Sequence, residues 1–106
     1  MIDINKLREY ANQHKLFMSQ HASNRCEQRR ITKEDIKNCI LTGEIIEQYS
    51  GDFPCPSCLI FGYSADNKII HVVASDSGEA SKIITAYVPD TEAFESDLKT
   101  RKEKKS

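Results

Sequence analysis

"ITKEDIKNCILTGEIIEQYS", residues 31–50, changes its hydrophobic period in the middle, and that change decides the fold class. Before Gly43, the apolar residues Ile36, Cys39 and Ile40 fall at helical spacing. Thr32 stands where an N-cap belongs, and Asp35 three residues on completes a capping box. Ile31 and Ile36 take the two positions of a hydrophobic staple. Gly43 suits the left-handed position just beyond a helix end. After it the residues alternate, and a helix gives way to a strand.

The same two periods organise the rest of the chain. Upstream, "DINKLREYANQH" (3–14) places Ile4, Leu7, Tyr10 and Ala11 on one helical face with Asp3 as cap. "KLFM" (15–18) reads as a short apolar link, and Ser19 caps a second helix, "SQHASNRCEQRR", that should stop near Arg30. Downstream, "EIIEQYS", "CLIFGYS", "KIIHVVAS" and "KIITAYV" are four β-prone runs separated by turn material: "GDFPCP", "ADNK" and "DSGEAS". Connections this short favour antiparallel neighbours. Pro89 ends the last strand, and "DTEAFESDLKTRKEKKS" starts a C-terminal helix that frays into a basic tail. The expected architecture is α+β: N-terminal helices on one face of a four-stranded antiparallel meander, then a C-terminal helix.

Totals bound the function. A chain of 106 residues is one domain, 1–106, with a modest core. No apolar run nears the roughly 20 residues that span a bilayer, and the charged N-terminus lacks a signal-peptide core. The expected setting is the cytoplasm of a bacterium, with no membrane partner. Of the four cysteines, Cys26 and Cys39 fall at apolar helical positions, where reduced thiols pack as small hydrophobes. Cys55-Pro-Ser-Cys58 has the spacing of half a zinc site but lacks a second pair of ligands, so neither metal nor cofactor is expected. Net charge is −1, yet it is segmental. Residues 25–33 carry four positive and one negative charge, residues 99–105 five and one, and residues 34–95 three and eleven. A local basic site on an acidic body is the consequence.

Period two also assigns sheet faces. In the third run Ile70, Val72 and Ala74 point one way, and Ile69, His71 and Val73 the other. In the fourth, Ile84, Ala86 and Val88 share a face opposite Ile83, Thr85 and Tyr87. The mixed face, carrying His71, Thr85 and Tyr87, is expected to lie open. On the second helix His21, Arg25, Gln28 and Arg29 fall within a sector of about 100°. Ala22 and Cys26 beside them give only a thin docking strip.

Imidazole and guanidinium together suit phosphodiester chemistry. Histidine titrates near neutrality, and arginine presents a planar fork that matches phosphate oxygens. Metal-independent RNA cleavage needs a base for the 2′-hydroxyl, an acid for the leaving oxygen and cations for the phosphorane. On that logic His21 and His71 are the acid–base pair, Arg25 and Arg29 the phosphate clamp, and Tyr87 a donor or alternative acid. Gln28, Thr85, Arg101 and Lys102 are substrate contacts. The competing reading makes the helix row a solvated face, His71 a hydrogen-bonded strand residue and Tyr87 a packing residue.

The pieces "HASNR" with Arg29 four residues later, "RRIT" leading into "EDI", "TGEIIEQY", "PSCLIFG", "HVV" and "IITAYVPD" occur in this order, followed by an aromatic and a basic pair. The chain thereby resembles the bacterial family DUF4258, a domain of unknown function. The resemblance covers most of 19–102 and leaves 1–18 as an N-terminal helical extension and 103–106 as a basic tail. That family is similar to the RelE/ParE-like (barnase–EndoU–colicin–RelE) superfamily of RNase toxins. The resemblance implies a toxin fold, a toxin–antitoxin system, mRNA interferase-like endoribonuclease activity on RNA, and a protein antitoxin as partner. Its matching polar residues are His21, Arg25, Arg29, His71, Thr85, Tyr87 and Arg101. Phe94 stands where the family commonly has Trp, and the family pattern needs Cys58 but not Cys55. The sequence pI of 6.3 is low for such toxins. Two other activities remain on the same fold: a non-catalytic module for a phosphate-bearing ligand or partner, and a protein-directed toxin.

Overall fold

The Thr32 hydroxyl accepts from the Asp35 backbone N–H at 3.1 Å while the Asp35 carboxylate accepts from the Thr32 N–H at 2.9 Å, which starts α3 (Lys33–Thr42) with a reciprocal cap. Asp35 is buried and also accepts from the Ala65 N–H at 3.0 Å, tying this helix start to the turn between two strands. Burial pushes its carboxyl up, but the Thr32 and Ala65 N–H groups outweigh it and hold the acid below its usual value.

The computed structural model describes residues 1–102; the basic tail 103–106 lies outside the described residues. The elements are α1 (Ile4–Asn12), β1 (Leu16–Met18), α2 (Gln20–Gln28), α3, β2 (Glu44–Tyr49), β3 (Ser57–Tyr63), β4 (Ile69–Ser75) and β5 (Ser81–Tyr87). The fold is α+β, as the change of period implied. The sheet, however, has five strands in the order β1-β5-β4-β3-β2. The apolar link "KLFM" supplies the extra one: β1 runs parallel to β5, pairing Leu16 with Ser81 and Met18 with Ile83. β2 to β5 form the expected antiparallel meander. Among the described residues no helix is long and apolar enough to cross a membrane.

α1 and α3 cover one sheet face. Leu7, Tyr10 and Ala11 join Ile36, Cys39 and Ile40 over Cys58, Ile60, Ile70, Val72 and Ala74 in one core. The N-terminal helix is thus part of the core: Arg8 donates to the Ile40 and Gly43 carbonyls at 3.3 and 3.0 Å, satisfying acceptors that the end of α3 leaves open. Tyr10 donates to Asp76 at 2.7 Å. α2 closes with Arg30 in the left-handed region (φ 58°), where the Ile31 N–H reaches the Cys26 carbonyl at 2.8 Å and both side chains enter the core.

Three expectations need correction. Gly43 is not left-handed (φ −96°, ψ −175°). It is glycine because a Cβ there would collide with the carbonyls of Cys39 and Phe61. Gly62 meets the same Cys39 carbonyl and, at 2.8 Å, its sulfur, so two glycines let α3 sit directly on β3. Second, a bulge between Val73 and Ala74 sets Ile83 opposite Ala74. Ile83 therefore joins the core and Ile84 is exposed, the reverse of strict alternation. Third, no C-terminal helix forms among the described residues. Asp90 and Asp97 bind the N–H groups that follow them, Asp97 accepting from Lys99 and Thr100 at 2.9 and 3.0 Å, and Leu98 is left-handed (φ 58°). Side chains that capture nearby backbone compete with helix propagation. The segment instead doubles back through a bridge between Phe94 and Arg101 and lies on the second sheet face.

Gly62→Ala should lower unfolding free energy by about 1–3 kcal/mol, since the blocking atoms are backbone. Gly51→Ala, which meets nothing within 4 Å, should stay within about 0.5 kcal/mol of wild type in urea denaturation.

Candidate functional site

The second sheet face is built in rows by the strand register. Glu44, Phe61, His71 and Tyr87 form one row, and Glu47, Leu59, Val73 and Thr85 the next. The C-terminal segment covers the first row. Phe94 is buried with its ring 4.7 Å from that of His71, edge to face, and Arg101 lies over the Phe94 ring at 4.8 Å. Lys99 lies over Phe61 at 4.7 Å and pairs with Glu44 at 3.2 Å.

His71 is therefore sealed. It is fully buried, with Nε2 2.7 Å from the Leu98 carbonyl and Nδ1 3.3 Å from the Tyr87 hydroxyl. A carbonyl only accepts, so Nε2 carries the proton and Nδ1 accepts from Tyr87. Burial depresses the imidazole's proton affinity, outweighing the Leu98 carbonyl and Glu47. His71 is a neutral strand residue that holds Tyr87, and a substrate cannot reach it. The expectation of an open second face is corrected at this row.

Arg101 is likewise committed. Its Nε and Nη2 donate to the two Glu47 oxygens at 3.1 and 3.0 Å, a bidentate pair that Tyr49 joins through its hydroxyl on Glu47. That pairing holds Glu47 below its ordinary value. Its charge is neutralised, so Arg101 belongs to the lock rather than to a free phosphate site. Lys102 is exposed beyond it.

α2 forms the opposite border. β1 pairs only with Ser81–Ile83, which leaves the second half of β5 as a sheet edge, and α2 packs there. Ala22 and Cys26 are its buried residues. Arg29 places Nη1 3.1 Å from the Thr85 hydroxyl and 2.8 Å from the Ala86 carbonyl, closing the edge. Its Nε and Nη2 make no hydrogen bond among the described residues, and Arg25, one turn back, is exposed without a side-chain partner among them. Gln28 is exposed at the end of the helix. Tyr87, half-buried, follows the Ala86 whose carbonyl Arg29 binds: burial raises its hydroxyl pKa, while Arg101 and Arg29 oppose the rise.

His21, exposed two turns before Arg29, lines a cleft with Ser75 and Ile84. Ser75 lies four residues from His71 along β4, about 13 Å. The structure thus brings Arg25, Arg29, Thr85 and Tyr87 to one rim and sets His21 at its far end. It does not bring His21 and His71 together. Cys58 is buried toward the helices with its thiol pushed up to about 12 by burial, whereas Cys55 lines the His21 cleft, so the two do not converge. Glu47 was missed in the sequence because its partner Arg101 lies 54 residues away.

Residues 18–88 match the family described as a domain of unknown function, DUF4258, and the chain belongs to it. No curated protein and no solved structure matches the chain.

Phe94→Ala should cost about 3–5 kcal/mol, because it removes a buried aromatic and opens His71 to water. Neutral His71 also fixes a pH dependence. The unfolded chain takes up a proton that the folded one refuses, so stability should fall as pH drops below about 6.5 toward the lowered folded value. Denaturation series at stepped pH should show this slope in wild type and a shallower one in His71→Gln.

Proposed function

We propose that this domain is an RNA-directed toxin-type protein that grips the phosphate backbone along α2 and cuts it without metal at the Arg29–Tyr87 end. The observation that carries the reading is the state of Arg29: one nitrogen anchors it to Thr85 and Ala86, next to Tyr87 in the chain, and its Nε and Nη2 make no hydrogen bond among the described residues. A guanidinium held this way is preorganised for phosphate and needs no reordering to bind it. Arg25 and His21 extend the row in four-residue steps, about 6 Å each. In this scheme Arg29 stabilises the phosphorane, the Tyr87 oxygen takes the proton of the attacking 2′-hydroxyl as its own proton passes to Nδ1 of His71, and water protonates the leaving 5′-oxygen. His71 positions Tyr87 and does not touch substrate. His21, about 12 Å from Arg29 along the helix, binds a neighbouring nucleotide. The resemblance to RelE/ParE-like RNase toxins supports the same reading and suggests a bacterial, cytoplasmic setting with a protein antitoxin as partner.

The burial of His71 favours a second reading, a non-catalytic RNA- or phosphate-binding module, because only one imidazole borders the rim. Incubation of the purified protein with a mixed-sequence RNA in EDTA separates the two. The toxin reading expects cleavage that falls at least about 100-fold in Arg29→Ala and Tyr87→Phe. Retained RNA with binding lost in Arg25→Ala would establish the binding module instead. Absence of both cleavage and binding would overturn the RNA-directed reading.

A further inference from the structure

At the His21 end of the row lies an open cleft of about 550 Å³, within the size range of ligand pockets. Its walls come from β1, the start of α2, the end of β4 with the loop after it, β5 and the loop between β2 and β3. Three apolar side chains on those walls are exposed: Phe53 at 95%, Phe17 at 57% and Ile84 at 44%. Phe53 stands in the turn "GDFPCP", where packing gives no reason for an aromatic. The polar lining includes His21, Lys82 and Asp52, whose Oδ2 accepts from the Ser57 hydroxyl at 2.5 Å.

We propose that this cleft takes an unpaired nucleobase of the same single-stranded RNA whose phosphates lie on Arg25 and Arg29, an inference that rests on the RNA-directed reading above. Exposed aromatics recognise bases by stacking, which is independent of sequence because every base has a π-face. Lys82 and His21 meet the phosphate beside that base, and the Asp52 carboxylate accepts from an exocyclic amino group, as acidic side chains do with cytosine. Continuity decides the occupant: His21 belongs to both the cleft and the α2 row that carries Arg25 and Arg29, so one strand can follow both. A duplex cannot, since its bases are stacked away from the wall.

The test uses the full chain and a fluorescent single-stranded RNA of about ten nucleotides, 2′-O-methylated so that it survives, read by anisotropy. Phe53→Ala and Phe17→Ala, both at exposed positions, should each weaken binding about tenfold, and a duplex of the same sequence should bind more weakly than the single strand. Wild-type affinity in both phenylalanine variants, with binding lost in Arg25→Ala, would overturn the base pocket and leave the phosphate row standing. Equal affinity for duplex and single strand would also overturn it. No binding by the wild type would remove the pocket and the RNA-directed reading together.

Discussion

The hydrogen bond from His71 to the Leu98 carbonyl governs what this molecule can present to a ligand. It fixes Nε2 as the donor, turns Nδ1 toward Tyr87 and pins the C-terminal segment over the sheet, while burial keeps the ring's proton affinity low. Phe94 and the Arg101–Glu47 pair close the same lid from two sides. With that row sealed, Arg25 and Arg29 stay exposed along the border that α2 makes with the free half of β5. A buried histidine with both nitrogens satisfied is stable only while its partners stay in place, so the lid and the strand support each other.

Arg29 ties α2 to the sheet at that border. Edge strands leave carbonyls that must be satisfied, and here a guanidinium rather than another strand does it for Ala86. A fork with five donors can spend one nitrogen on the fold and keep the others for an anion. The thin apolar strip of α2, with only Ala22 and Cys26 buried, follows from this division: the helix is held partly by Arg29, and the rest of its surface stays polar.

Much of the fold was legible in residues 31–50 because the capping box, the staple and the change to alternation are local signals that tertiary packing did not override. What escaped was non-local. β1 is three residues long and gains strand character only from its pairing with β5, 65 residues onward in register. The bulge at Ile84 inverts one step of the face assignment, and strict period two cannot reveal it. The failed C-terminal helix had its cap, yet Asp97 captured the following backbone and Phe94 found a better site on His71 than a helix surface would offer. Of the candidate site, the α2 row and Tyr87 were readable from spacing. The fate of His71 was not, since period two says which face a residue takes and nothing of what covers that face.

Acylation of the three histidines by diethyl pyrocarbonate, mapped by mass spectrometry on the native protein, tests the sealed row most directly. His14 and His21, both exposed, should react promptly, and His71 should react only once the protein is unfolded. Modification of His71 in the native state as fast as that of His14 would contradict the account.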